Sequence, residues 1–282
     1  MASAATTANG GRSGTRTALT LIAKRLGSAL LTLLLVSMVV FTISSLLPGD
    51  AAQETLGQGA TPEQIAALRH QLGLDQPAHL RYISWLGGML GGDPGQSMVA
   101  NMPVSEVIAD RLPNSLVLAG LTALIAVPLA LFIGIFSAMY RGTKLDRGLN
   151  IATLSMVAVP EFLVATIAVL IFAVELRLLP SITLVSEEAS WGEFLRSYAM
   201  PVMTLAFVVV AQMARMTRAA VIAQLNQPYV EMAMLKGVRP GRIVLTHVLP
   251  NAIGPIVNAM ALSLSYLLGG AVIVETIFNY PG

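Results

Sequence analysis

An all-α polytopic membrane fold is what this 282-residue sequence predicts, and three observations carry the prediction. Charged residues make up 11% of the chain, where soluble domains average about 25%. Hydrophobic residues reach 55% and mean hydropathy is +0.73, which leaves too little polar surface to cover a soluble fold. Five stretches are mainly apolar and long enough to cross ~30 Å of hydrocarbon at ~1.5 Å per helical residue. The same composition excludes disorder and a collagen-like repeat. A net charge of +2 is too small for a nucleic-acid-binding face. With no Cys there is no disulfide framework, zinc-thiolate site or thiol nucleophile.

The predicted spans are residues 26–47, 116–139, 149–174, 200–223 and 252–274. The first ends at Pro48-Gly49-Asp50, the second carries Pro128, and the third carries Pro160 and Glu161. Proline is tolerated there because neighbouring helices and local backbone shifts satisfy the freed carbonyls. An apolar stretch of this length without a nearby small-residue cleavage site reads as a span rather than a signal peptide. Residues 1–25 are the expected cytoplasmic tail, of which Met1 to Thr20, rich in Ala, Ser, Thr and Gly and without an acid, reads as disordered, with an organelle transit peptide as the alternative.

Basic residues set the expected orientation. With the N-terminus in the cytoplasm, Arg12, Arg16, Lys24, Arg25, Arg141, Lys144, Arg147, Arg215, Arg218, Lys236, Arg239 and Arg242 lie inside. Only Arg69, Arg81, Arg111, Arg177 and Arg196 lie outside.

Residues 48–113 then form an external helical insertion, and residues 114–282 a core domain. In the insertion, Thr61-Pro62-Glu63-Gln64 has a Thr cap, Pro at the first helical position and Gln where a capping box needs it. Ile65, Leu68 and Leu72 share one face of that helix, with Gly73 as its stop. A second helix is predicted over 79–90 and a third, short one over 104–112.

The segment 224–251, on the predicted cytoplasmic side, is the most informative. Pro228 starts a short helix, Glu231 suits its first turn and Lys236 its last. Gly237 can adopt the left-handed conformation that closes the helix, and Pro240 forces a turn. Val230, Ala233, Met234 and Leu235 are then available to dock into a partner's groove.

At this point the residues resemble a known family. Glu231-x-Ala233-x3-Gly237 followed by Leu249-Pro250 resembles the EAA loop of ABC-importer permeases. Met232 stands where that pattern has its first Ala, and His247 occupies its hydrophobic position. Other stretches are similar to the dipeptide/oligopeptide/nickel permease subfamily, and to its first (B-type) subunit. They are Leu47-Pro48-Gly49-Asp50, Leu72-Gly73-Leu74-Asp75-Gln76-Pro77, Gly92-Asp93-Pro94-Gly95-Gln96-Ser97, Arg111-Leu112-Pro113-Asn114-Ser115 and Glu275 through Gly282. Because that subfamily continues past Tyr280-Pro281-Gly282 into a sixth span, the resemblance implies a C-terminally incomplete chain.

The resemblance implies a type I permease fold that moves di- or oligopeptides across the bacterial cytoplasmic membrane by alternating access. Nickel, glutathione, opines and oligosaccharides stay open as substrates. Implied partners are a second homologous permease, two cytoplasmic ATP-binding subunits and an external solute-binding protein. ATP is then used by those partners, with no cofactor bound here. The implied ATPase-coupling loop is Tyr229, Glu231, Ala233, Gly237, Arg239, Pro240, His247, Leu249 and Pro250. In it Glu231 orients the loop by hydrogen bonds, Ala233 permits close approach, Gly237 bends the chain, and Arg239 and Arg242 meet acidic ATPase surface.

Few other residues suggest chemistry. No Gly-x4-Gly-Lys-Ser/Thr occurs for ATP hydrolysis, and His70, His79 and His247 are too scattered for a metal site. Glu161 is the one acid well inside a span, so Pro160 and Glu161 mark a pathway residue or a helix break. Arg215 and Arg218 are expected to snorkel to the interface, and Gly134, Ser137, Gly269 and Gly270 to let helices pack closely. An intramembrane hydrolase using Glu161 or Ser155, and a stand-alone channel, are the rival readings.

Overall fold

The computed structural model describes residues 10–46, 51–57, 59–97, 102–183 and 190–282. The chain divides into two compact units, Met1–Val107 and Ile108–Gly282. In the first, α1 runs from Gly10 to Leu46. The helix therefore starts well inside the region expected to be a disordered tail. Its membrane-length part begins at Leu19, because Leu19, Leu21, Ile22 and Ala23 extend the apolar run around Lys24 and Arg25. Three short helices follow: α2 (Ala51–Leu56), α3 (Pro62–Gln71) and α4 (Ala78–Leu90).

The capping box on α3 is present. Gln64 N–H donates to Thr61 Oγ1 at 3.4 Å, and Thr61 N–H donates to Gln64 Oε1 at 2.9 Å. Gly73, at φ +64, ends that turn. Ile65, Leu68 and Leu72 are only half-buried, so the expected local core is thin. Instead α1 and α4 join through an aromatic cluster. Tyr82 donates to or accepts from Ser37 at 2.8 Å and meets the Phe41 ring edge-on at 5.3 Å. A two-residue antiparallel pairing joins β1 (Gln96–Ser97) to β2 (Met102–Pro103).

In the second unit the chain is helical almost throughout. The expected short helix at 104–112 is not separate: α5 runs unbroken from Val104 to Met139, with Pro113 and Pro128 inside it. The third predicted span is not straight. It is α6 (Lys144–Ala158) followed by α7 (Glu161–Ala168), which lengthens through a π turn to Glu175, and the two are bent by 97°. Pro160 is extended backbone at φ −60, ψ 142, where no helix can pass.

Next come α8 (Trp191–Leu225), capped by a Ser190–Glu193 box, and α9 (Pro228–Leu235). From Pro240 the chain is helical to Ile277, as α10 (Pro240–Ile243), a π turn at Val244–Val248, and α11 (Leu249–Ile277). The fifth span thus starts about three turns earlier than expected, and His247, Leu249 and Pro250 lie on a helix rather than in a loop. The π turn shifts the hydrogen-bond register just before Pro250, which has no N–H to give. Among the described residues, four helices can cross a membrane by length and composition, or five if the bent pair counts as one.

The core sits around α8. Leu118 and Ala126 of α5, Met200, Leu205, Val209 and Met213 of α8, and Leu267 and Val274 of α11 are buried together. Gly134 sets the α5–α8 approach: a Cβ there would fall 2.6 Å from the Ala214 carbonyl and 2.7 Å from Thr217 Cβ. Gly134→Ala is therefore expected to cost about 1–3 kcal/mol, because two helices must separate to admit one methyl. Gly120→Ala, also inside α5 but with nothing within 4 Å of its Cβ, is the matched control and should stabilise by about 0.5–1 kcal/mol. Unfolding of the two variants in detergent compares them, and equal effects would mean that the approach at Gly134 is not tight.

Candidate functional site

The segment after α8 is built from local rules. Pro228 opens α9, where its missing N–H costs nothing. The Tyr229 hydroxyl donates to Gln224 Oε1 at 2.8 Å, tying the helix start back to α8. At the other end Gly237 N–H reaches the Met234 carbonyl at 2.9 Å and Val238 N–H the Ala233 carbonyl at 3.2 Å. Gly237 holds φ +75, which closes the helix as expected of a glycine there. Arg239 is extended, and Pro240 starts a new helix rather than only a turn.

The faces of α9 correct one expectation. Val230 is 1% exposed and Ala233 6%, both packed with Val221, Ile243, Val248, Ala252 and Ile256. These two side chains serve the chain's own core and are not free to enter a partner's groove. Met232 and Met234 are each 54% exposed and Leu235 76%, so the outward face is theirs, with Tyr229 at its edge. Glu231 is exposed, and among the described residues its carboxylate has no hydrogen bond or ion pair. Arg239 and Arg242 are exposed as well. His247 Nδ1 and Thr246 Oγ1 lie 2.7 Å apart, while Leu249 packs partly against the buried cluster and Pro250 is exposed.

Next to this segment lies a polar centre that sequence reasoning missed. Asp146, at 4% exposure, accepts from Arg218 Nε at 2.8 Å and, through its other oxygen, from Arg218 Nη2 at 2.9 Å. Ser137 Oγ donates to it at 2.6 Å, Gly142 N–H at 2.9 Å and Asn150 Nδ2 at 2.9 Å. Arg218 therefore does not snorkel. It locks α8 to the α5–α6 corner by a two-pronged ion pair, the geometry for which a guanidinium is built. The one local hint was Thr143 three residues before Asp146, a helix-start signal that places Asp146 in the first turn of α6.

Pro160 and Glu161 sit at the α6–α7 bend. The Glu161 carboxylate is buried against Gly270 of α11, within 3.1 Å of where a Cβ would stand, and its Oε1 has no hydrogen-bond partner among the described residues. Gly270, unlike Gly269, is thus the position whose small size is used.

Two stretches far apart in sequence also meet. Ser115 Oγ donates to Glu275 Oε1 at 2.7 Å, Asn114 Nδ2 to the Pro281 carbonyl at 2.7 Å, and Tyr280 Oη to the Asn114 carbonyl at 2.7 Å. Tyr198 and Tyr280 hydroxyls lie 3.0 Å apart. Burial first, and then the hydrogen bond with Tyr198, push the Tyr280 phenol above its usual pKa, so it stays a donor. The segments Arg111–Ser115 and Glu275–Gly282, both of which carried the family resemblance, are one packed unit.

The site thus combines a bent helix pair with a short apolar helix, one face buried and the other exposed, set between two long apolar helices. Residues 130–282 match the family model described as Binding-protein-dependent transport system inner membrane component, and residues 18–119 match the model of its N-terminal part. The chain belongs to this family. It is a permease subunit of a binding-protein-dependent ABC importer, and the hydrolase and channel readings fall away. A putative peptide transport system permease protein from Brucella abortus (strain 2308) is 36% identical over 262 residues, 93% of this permease and 83% of that protein. The glutathione transport system permease protein of Salmonella typhimurium (strain LT2) is 38% identical over the same shares. The permease is an integral membrane protein and not itself an enzyme.

Proposed function

We propose that the permease moves short peptides across the bacterial inner membrane, with its N-terminus in the cytoplasm. A second homologous permease, two cytoplasmic ATP-binding subunits and an external solute-binding protein complete the importer. The naming of its relatives as peptide and glutathione permeases supports the substrate class. The twelve-to-five division of basic residues supports the orientation. In this reading the ATP-binding subunits grip the outer face of α9, and closure of their dimer is passed to α8 and α11 through Val230 and Ala233. Pro160 and Glu161 belong to the helix break rather than to the solute path.

The observation that carries the proposal is the division of α9 into a face buried in its own permease and a face without a partner. The absence of native Cys makes the test clean. Leu235→Cys is expected to cross-link to a nucleotide-binding subunit in native membranes, in an ATP-dependent way. Ala233→Cys, one turn of packing deeper, is expected to stay unlabelled. Equal cross-linking at both positions, or at neither, would remove α9 as the docking helix.

A further inference from the structure

Helix α4 of the first unit is apolar and yet unburied. Its 13 residues carry only His79, Arg81, Ser84 and the Tyr82 hydroxyl as polar side chains, and none of the 13 is buried in this chain. At ~1.5 Å per residue it is ~20 Å long, too short to cross ~30 Å of hydrocarbon. An apolar helix of that length is either a core element or one that lies along a membrane interface. Its exposure rules out the first within this chain.

The helix has two opposite faces. One meets α1, where Tyr82 touches Ser37 and Phe41. On the same side Arg81 Nη2 donates to Ser45 Oγ at 3.3 Å, and the guanidinium lies 5.7 Å from the centre of the Phe41 ring. Across the helix Leu80, Ile83, Gly87 and Leu90 recur every three or four residues as a stripe without charge, and the Leu and Ile side chains are exposed. Ser84 lies off that stripe. It borders a groove of about 720 Å³ whose lining includes Gln76, Arg81 and Asp93, so the helix has a polar edge as well.

The contacts with α1 set the depth. Lys24 and Arg25 fix one end of that span at the interface, because a charge in hydrocarbon is costly. From Leu26, ~30 Å of hydrocarbon at ~1.5 Å per residue reaches about Leu46, where the apolar helix ends. Phe41 and Ser45 are then ~8 Å and ~2 Å inside that end. The start of α4 is held level with them, at the depth of ~5–10 Å where amphipathic helices settle. Tyr82, Trp85 and Arg81 are the residue types that anchor there. The exposed stripe is also continuous in kind with α1 itself, whose most apolar stretch is unburied throughout.

We infer that α4 lies in the leaflet at the C-terminal end of α1, the outer one in the orientation proposed above, with Leu80, Ile83 and Leu90 among lipid acyl chains. Part of the insertion is thus a membrane-surface element. The inference uses the crossing of α1 and needs neither the solute nor the partner subunits.

The test uses the assembled importer, with cysteine-free partner subunits, in vesicles of phosphatidylethanolamine and phosphatidylglycerol. A nitroxide is attached at Ile83→Cys or at Ser84→Cys, and its relaxation by oxygen, which enters lipid, is compared with relaxation by a water-soluble nickel chelate. Oxygen is expected to dominate at position 83 and the chelate at position 84, so that the ratio of the two effects differs several-fold between neighbouring residues. Dominance of the chelate at both positions would place α4 in water and overturn the inference. Low access for both reagents at position 83 would mean that a partner protein covers the stripe, and overturns it equally. Dominance of oxygen at both would mean a helix sunk wholly into hydrocarbon, without the polar edge, and overturns the interfacial placement.

Discussion

Arg218→Met is expected to destabilise the permease by about 3–5 kcal/mol, the cost of leaving one member of a buried ion pair alone. Asp146 is 4% exposed and would be left with only Ser137, Gly142 and Asn150 as donors. Removing the acid as well should recover most of the loss, because Asp146→Leu with Arg218→Met replaces a desolvated pair by apolar side chains of similar size. Denaturant unfolding in mixed micelles for the single and double variants gives the coupling energy directly. A loss below about 1 kcal/mol for Arg218→Met alone is the behaviour of an exposed ion pair. It would mean that Asp146 is hydrated and that α8 is held to the α5–α6 corner by packing only.

That pair also shows where reading the sequence stopped. The elements that could be read were those whose causes are local. The Thr61–Gln64 capping box, the start of α9 at Pro228 and its closure at Gly237 each need residues within a few positions of one another. The apolar spans were legible for the same reason, since hydropathy is a windowed property. Asp146 and Arg218 are 72 residues apart, and nothing in either neighbourhood distinguishes a paired arginine from a snorkelling one. The short helix α9 is apolar on nearly all sides, so its sequence does not say which side faces inward. That is why Val230 and Ala233 were expected outside and lie inside. The early start of the last helix was hidden by Pro250, which reads as a boundary unless the π turn before it is known. The 97° bend at Pro160 was marked by residue type, while its size depends on α7 packing against α8 and α11.

The two faces of α9 allow a prediction in which neighbouring residues give opposite failures. Met232→Asp with Leu235→Asp is expected to leave the permease folded, because neither side chain contributes to the buried cluster around Val248. The same double change should strip the apolar anchors from the outer face. At ~2 kcal/mol for each interfacial anchor, loss of both weakens binding of the ATP-binding subunit by more than ~30-fold, and solute-stimulated ATP hydrolysis drops to its basal rate. Val230→Asp should do the reverse, placing a charge among Val221, Ile243 and Ala252 and unfolding the α8–α11 end before any question of partners arises. Melting in detergent and stimulated ATPase activity, measured on both variants, separate the two failures. A Met232→Asp/Leu235→Asp permease that melts early would show that the outer face belongs to its own fold. One that melts normally and still couples would show that the ATP-binding subunits grip elsewhere, leaving Arg239 and Arg242 as the next exposed residues to test.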